Sequence, residues 1–192
     1  MSPMTFDETI RARHSVRAYL DTPVPAEYIR AMCAAARLAP SASNTQPCRY
    51  IAVTDRALLD RICTEGMRRI VSNKWAREAP LIIVACSRLA PVANRLGRAV
   101  MESEYYQIDL GIAVEHLVLK ATELGLATCW IGWFNEEKVK EILGIPRGIR
   151  VHILVAVGYP KDPDQIPKEH KRKPLDRILF MNGWGEPADD VQ

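Results

Sequence analysis

The chain has 192 residues, of which 48% are hydrophobic and 26% are charged, and its formal net charge is +3 at pH 7. These values predict one soluble globular domain over residues 1–192, large enough to bury a core, with 160–192 as a proline-rich C-terminal extension. The charge is small and acidic residues lie between most of the basic ones, which argues against a nucleic-acid-binding domain.

Signals for export, membrane insertion and metal binding are missing from the pattern. Charged residues at positions 7, 8 and 11 interrupt any apolar signal segment, and the longest apolar stretch, 108–119, is too short to span a bilayer. The five cysteines are widely spaced, without a CxxC pair or a cysteine–histidine cluster, which argues against a metal site. A reducing cytoplasm is the expected location, with no membrane partner.

Helical and strand patterns follow one another without strict alternation. A capping box that starts at Thr5 begins a short helix, and Pro40 stops the second one. Gly125 is the expected C-terminal cap of a long helix, and Asn135 and Gly144 are expected to cap the last one. Helices are predicted at 5–13, 26–38, 56–69, 102–124 and 136–143, and strands at 50–53, 81–86, 127–131 and 151–157. This order predicts an α+β fold in which helices cover one sheet.

Two segments have more apolar surface than packing in the core of one chain requires. The predicted helix 102–124 is apolar on more than one face, so it is expected to be central or part of an oligomer interface. Asp109 on this helix is interpreted as a paired interface carboxylate. The apolar run 178–181, with Trp184 beyond it, is expected to pack on another surface.

Two polar clusters near the N-terminus have the most specific chemistry. The first, 13–17, reads Arg-His-Ser-Val-Arg, so an extended segment points Arg13, Ser15 and Arg17 to one side. Two guanidinium groups with a hydroxyl between them suit a phosphate. The second cluster, 40–47, combines prolines with hydroxyls and amides that can bind the polar edge of a flat ring. Together they suggest a phosphorylated ring cofactor, although surface charge and a plain turn would explain each cluster alone.

Two further segments complete an ordered set, GLATCWIGWF at 125–134 and KRKPL at 171–175. With RHSVR, PSASNTQP and the long apolar helix, they resemble the nitroreductase family, flavin mononucleotide (FMN) enzymes that form intertwined homodimers. The resemblance covers essentially the whole chain. It implies a three-layer α/β/α fold with a mostly antiparallel central sheet, and FMN sites at the subunit interface.

The resemblance also assigns residues to the cofactor. Arg13 and Ser15 match the motif for the phosphate and ribityl end, whereas Arg17 either joins them or places its charge near N1 and O2 of the pyrimidine ring. The 40–47 loop would approach the flavin from the second subunit, on which the extension 160–192 is expected to pack. The assigned cofactor-binding residues are Arg13, His14, Ser15, Arg17, Pro40, Ser41, Ala42, Ser43, Asn44, Gln46, Asn73, Ile131, Gly132, Arg172 and Lys173.

The other assigned residues follow the 40–47 loop in the sequence. The backbone of Ile131 and Gly132 would lie against the isoalloxazine ring. Arg172, with Lys173 as the second choice, would close on the phosphate. Asn73 would contact the flavin ring.

The implied activity is that of an FMN-dependent oxidoreductase. NADH or NADPH would deliver hydride to FMN and leave, and a nitroaromatic, a quinone or a similar small acceptor would then take it, in a ping-pong cycle. No protein nucleophile, general acid or metal is assigned, and an Arg17 placed near the ring would act electrostatically. Two alternatives stay open, a flavin-fragmenting or dehalogenating relative and a flavin-binding module without turnover. Cys48 stands where many relatives carry Trp, which bears on substrate choice.

Overall fold

A computed structural model describes residues 4–68, 73–88, 105–162 and 171–185 of the chain. Its helices are α1 Phe6–Ala12, α2 Ala26–Arg37, α3 Arg56–Arg61, α4 Tyr105–Glu123 and α5 Glu136–Leu143. Its strands are β1 Cys48–Val53, β2 Leu81–Arg88, β3 Ala127–Ile131 and β4 Ile149–Gly158. Short 3-10 turns occupy Ala42–Asn44, Lys74–Glu78 and Leu175–Arg177, and a π-helical turn occupies Ile62–Gly66.

The four strands form one sheet in the order β1-β2-β4-β3, and every neighbouring pair is antiparallel. Residues alternate between its two faces along each strand. On one face, Val84 and Leu154 belong to a core with α3, the π-helical turn and α5. On the other, Ile83 and Val155 belong to a core with α2 and α4. Helices on both faces confirm the predicted three-layer α/β/α arrangement.

The structure confirms most predicted elements and changes one of them. β3 and α5 have the predicted bounds, and the Asn135 side chain and Gly144 in a left-handed conformation cap α5 as expected. The helix predicted at 56–69 is wrong in its second half, because α3 ends at Arg61 and a π-helical turn follows. A β-carbon on Gly66 would lie 3.1 Å from a Val139 methyl, so the glycine allows α5 to pack closely against this turn.

Pairing extends three of the strands beyond their sequence signals. β1 begins at Cys48, where it pairs with Ser87, and β2 continues to Arg88 opposite Ile149. β4 therefore starts two residues before the predicted Val151. The predicted start of the long helix at 102–104 lies outside the described residues.

The long helix α4 is central, which is one of the two positions that the sequence predicted for it. Val114, Leu117 and Val118 are fully buried against α2 and the sheet. A second apolar strip remains at the surface of the chain, where Ile108 is 55% and Ile112 is 36% exposed. Within the described ranges, no helix is long and apolar enough to cross a membrane.

The C-terminal apolar run stays exposed within this chain. Ile178 is 63% and Trp184 93% exposed, and Trp184 packs against Phe180 with ring centroids 5.0 Å apart. Packing of this run on another surface stays a prediction.

Candidate functional site

The 13–17 segment is held in an extended conformation between α1 and the sheet. Arg13 ends α1, and its backbone N–H donates to the Thr9 carbonyl at 3.0 Å. Ser15 forms a parallel bridge with Thr128 at the start of β3, and the Val16 N–H donates to the Thr128 carbonyl at 3.0 Å. The extended backbone that the sequence predicted here is confirmed.

The 13–17 segment runs beside a buried thiol, Cys129 of β3. Burial raises the pKa of the Cys129 thiol in β3. Arg17, Ser15 and Arg13 each oppose that rise, Ser15 through a hydrogen bond. The charges of Arg13 and Arg17 and the Ser15 hydroxyl thus all act on the same buried thiol.

Arg13 opens into a cleft of about 480 Å³, which we call the arginine cleft. The cleft is lined by Ile10, Arg11, Arg13, Glu115, Leu119 and Arg172. Arg172 comes from the C-terminal segment, so the structure brings together the two predicted phosphate ligands that are farthest apart in sequence. Three guanidinium groups around one opening provide the planar donors that bind phosphate oxygens bidentately.

One carboxylate also faces the arginine cleft. Glu115 Oε1 lies 4.0 Å from Arg13 Nε, and both side chains are partly exposed. Burial raises the pKa of the Glu115 carboxyl, while Arg13 and His116 oppose the rise. Among the described residues, three arginines and one carboxylate therefore line this cleft.

Arg11 and Glu115 were missed from the sequence. Side chains two residues apart in a helix point to different faces, so a helix that continued through Arg13 would separate Arg11 from Arg13. Because α1 ends at Ala12, both side chains can line the same cleft. Glu115 lies in the middle of the apolar run of α4, where its charge had no sequence partner. No local signal could have linked it to Arg13.

Arg17 does not line the arginine cleft and has a different neighbour. Its guanidinium carbon lies 5.7 Å from the ring centroid of Trp75. Tyr19 packs against the same indole, with ring centroids 6.5 Å apart, and its hydroxyl donates to the Val16 carbonyl at 2.6 Å. Arg17 therefore lies beside Trp75 and outside the arginine cleft.

The segment around Asn73 lies beside the end of β3. The Asn73 side-chain amide donates to the Trp133 carbonyl at 3.4 Å, and the Arg68 guanidinium donates to the Phe134 carbonyl at 3.0 Å. Ile131 is buried, whereas Gly132 is exposed and a β-carbon there would meet only a methyl of Ile153 at 3.9 Å. Packing within this chain therefore does not require the glycine at 132.

The 40–47 loop contains unusual backbone conformations. Ser43, Asn44 and Gln46 have φ values of 51°, 54° and 46°, in the left-handed region that side chains with a β-carbon disfavour. The Gln46 backbone N–H donates to the Ser41 hydroxyl at 2.9 Å, and the Gln46 side-chain amide donates to Asn44 Oδ1 at 3.1 Å. Such strain persists only where other contacts hold it, and it is concentrated at functional sites.

Asp109 fastens this loop to the long helix. Its Oδ1 accepts the Ala42 backbone N–H at 3.0 Å, and the residue is only 5% exposed. The predicted pairing of Asp109 is therefore made within its own chain, and its position at a subunit interface stays a prediction. Behind the loop is a cavity of about 340 Å³ whose lining includes Cys48 and Tyr50. The buried Tyr50 hydroxyl has no hydrogen-bond partner in the described part of the chain.

The structure does not gather all assigned residues into one place. The 40–47 loop and the arginine cleft share no lining residue. His14 lies 2.8 Å from the Ala12 carbonyl through Nδ1 and lines a third, smaller cavity. Lys173 is exposed and lies outside the arginine cleft. Among the described residues, no group of three or more His, Cys, Asp or Glu side chains could hold a metal ion.

The protein thus has an antiparallel sheet between two helix layers and a cleft lined by arginines from the N- and C-terminal segments. Residues 10–68 and 67–159 match the model of the Nitroreductase family, and the chain belongs to that family.

Similar proteins cover nearly the whole chain. A protein of Archaeoglobus fulgidus with the provisional name NADH dehydrogenase/NAD(P)H nitroreductase is 33% identical over 173 residues, which span 88% of this chain and 93% of that protein. The crystal structure of a nitroreductase family protein from Clostridium novyi NT matches with a TM-score of 0.74 at 32% identity, covering 98% of this chain and 99% of that one. These likenesses confirm the predicted fold class.

Two other relatives have names that denote different chemistry. The 5,6-dimethylbenzimidazole synthase of Rhodospirillum rubrum is 27% identical over 181 residues, covering 84% of this chain and 85% of that protein. Iodotyrosine deiodinase 1 of Pongo abelii is 28% identical over 200 residues, covering 92% of this chain and 68% of that protein. Family membership alone therefore does not define the electron acceptor.

Proposed function

We propose that this protein is an FMN-dependent oxidoreductase that transfers hydride from NADH or NADPH to nitroaromatics, quinones or similar small acceptors. The observation that carries the proposal is the arginine cleft. Membership of the nitroreductase family supports a flavin, and the cleft has the donors that its phosphate needs.

The chemistry of the donor set fits FMN. Arg11, Arg13 and Arg172 converge on one cleft, and together with Glu115 they leave a net positive charge suited to a phosphate dianion. Ser15 is two residues from Arg13 in the same extended segment and would bind the ribityl chain. Lys173 would add charge at the rim.

The remaining assigned residues would bind and tune the ring. Arg17, away from the arginine cleft, is suited to the pyrimidine edge, where a cation stabilises negative charge on reduced flavin. The backbone at Ile131 and Gly132, beside Asn73, would lie against the ring. When bound, FMN supplies the hydride chemistry, so this chain needs no nucleophile of its own.

The site is proposed to be completed in a homodimer. The exposed strip of α4 with Ile108 and Ile112 and the exposed C-terminal run supply apolar surface for an interface. The 40–47 loop would then reach the FMN of the second subunit, and 160–192 would pack on that subunit. This arrangement explains why the loop lies apart from the arginine cleft of its own chain.

Intersubunit complementation tests the dimer. Arg13→Ala subunits and Asn44→Ala subunits each form dimers with impaired sites, but a mixed dimer contains one site with both residues intact. After unfolding and refolding together, about a quarter of all sites should regain wild-type FMN affinity, because half of random dimers are mixed. No recovery, or a flavin-loaded monomer in light scattering, would contradict the shared site.

Anaerobic titration tests the activity. Purified protein reconstituted with FMN should lose its visible flavin absorption on addition of NADH or NADPH and regain it with a quinone or a nitroaromatic. Failure to bind FMN would refute the cofactor assignment. Bound FMN that neither nicotinamide bleaches would indicate a binding module without turnover.

A second candidate function follows from the two relatives with different chemistry. Their identities of 27% and 28% are close to those of several relatives named as nitroreductases. Production of 5,6-dimethylbenzimidazole from reduced FMN in oxygen, or release of iodide from iodotyrosine, would identify this candidate. Turnover of quinones without either product would support the first.

A further inference from the structure

The Arg17 side chain lies over an aromatic ring. Within the described part of the chain its guanidinium makes no hydrogen bond and no ion pair, and its defined side-chain contact is the Trp75 ring at 5.7 Å. A cation is attracted to the face of an indole within about 6 Å of the centroid. Such a contact uses none of the five guanidinium N–H donors, so all remain available to a ligand.

Trp75 is itself held firmly. It is half-buried in the core between the sheet and α5, and it packs against Tyr19, which is 1% exposed. The next residue, Ala76, is also 1% exposed and donates its N–H to the Asn73 carbonyl at 3.0 Å. The indole is thus a fixed surface, while Arg17 is an exposed side chain on an extended segment.

We propose that Trp75 is a positioning residue that directs Arg17 toward the pyrimidine edge of the flavin and thereby stabilises the reduced cofactor relative to the oxidised one. The inference rests on the proposed function, because it requires FMN in the site. Without the indole, Arg17 would spread over several rotamers, and its charge would point into solvent for part of the time.

The two oxidation states distinguish this role from simple packing. Lost packing would weaken binding of oxidised and reduced FMN by the same factor, since the phosphate and ribityl contacts are common to both. A misplaced Arg17 would weaken reduced FMN more, because only that state carries the negative charge at N1 that a cation stabilises.

The experiment measures FMN dissociation constants in both oxidation states for wild type and Trp75→Leu. We expect the dissociation constant of reduced FMN to rise about tenfold more than that of oxidised FMN, within the range of cation–π contacts. This ratio lowers the two-electron midpoint potential of bound FMN by about 30 mV. Trp75→Phe, which keeps an aromatic face, should recover most of the difference.

Arg17→Gln closes a double-mutant cycle. Arg17→Gln alone should also weaken reduced FMN selectively, and adding Trp75→Leu should produce no further selective loss, because the two residues act as one unit. Trp130→Leu is the matched control, since Trp130 is another half-buried indole but packs in the core on the opposite face of the sheet. It should change both dissociation constants by the same factor.

Equal weakening of both states by Trp75→Leu, or additive selective losses in the double variant, would overturn the positioning role. Wild-type protein that binds FMN in neither state would instead refute the proposed function, so the two failures are distinguishable.

Discussion

The two polar segments near the N-terminus, 13–17 and 40–47, differ in how the fold holds them. The 13–17 segment continues from α1 and pairs with Thr128, so its side chains face groups of their own chain. The 40–47 loop projects, with three residues in left-handed conformations, and Asp109 ties it to the long helix.

This difference fits the proposed division of labour, in which 13–17 binds the cofactor of its own chain and 40–47 reaches that of the second subunit. Arg13 already meets Arg11 and Arg172 in the arginine cleft. The exposed polar groups of Ser43 and Asn44 meet no comparable set in the described part of their own chain. Backbone strain held by an anchor is typical of functional loops, which supports the proposal that this loop binds the flavin of the second subunit.

The largest effect is expected from removing the centre of the first segment. Arg13→Ala removes a guanidinium that can bind phosphate bidentately, and it should raise the FMN dissociation constant by about 10- to 100-fold. Flavin fluorescence titration measures the change. Arg30→Ala, an exposed arginine of α2 outside the cleft, should leave the affinity unaltered. Unchanged affinity in Arg13→Ala would place the phosphate elsewhere.

A smaller effect is expected from releasing the second segment. Asp109→Ala leaves the Ala42 N–H without its acceptor, and the free energy of unfolding should fall by about 1–2 kcal/mol. Asp109→Asn keeps an acceptor oxygen and should cost less. Urea unfolding at one protein concentration measures both variants. Equal losses would show that the hydrogen bond to Ala42 does not anchor the loop.

The strain in the loop can be tested at Ser43, which is exposed and has a φ of 51°. Ser43→Val introduces a β-branched side chain that disfavours this conformation, and should cost about 1 kcal/mol of unfolding free energy. Ser43→Gly permits the same backbone and should cost no more than about 0.5 kcal/mol. If valine is tolerated as well as glycine, the left-handed conformation is not maintained in solution.

The smallest effect concerns acid and the helix that leads to Arg13. Hydrogen bonds from the Thr5 backbone and hydroxyl lower the pKa of the exposed Glu8 carboxyl. A lowered pKa in the folded state stabilises it above the unfolded pKa, and this contribution is lost as pH falls through the folded value. Between pH 6 and pH 3 the wild type should therefore lose slightly more stability than Glu8→Ala in urea unfolding. Parallel losses would mean that the capping box does not form.

Local signals in the sequence were sufficient for several features. The caps of α5, the strand β3 and the capping box of α1 depend on neighbouring residues, and the structure has them where they were predicted. The extended 13–17 segment follows from the end of α1 and from alternation. The order of the four motifs was enough to indicate the family.

Contacts between distant residues were decided only by the tertiary structure. Strand order and the lengths of β1, β2 and β4 depend on pairing partners far away in the chain. The π-helical turn that ends at Gly66 packs against a distant residue of α5. The same holds for the site. Arg11 and Glu115 join Arg13 because α1 and α4 pack together, and Trp75 meets Arg17 because its 3-10 turn packs near the end of β3. Residue types and local spacing determine which elements form and which groups can bind an anion, whereas three-dimensional packing determines which of those groups meet.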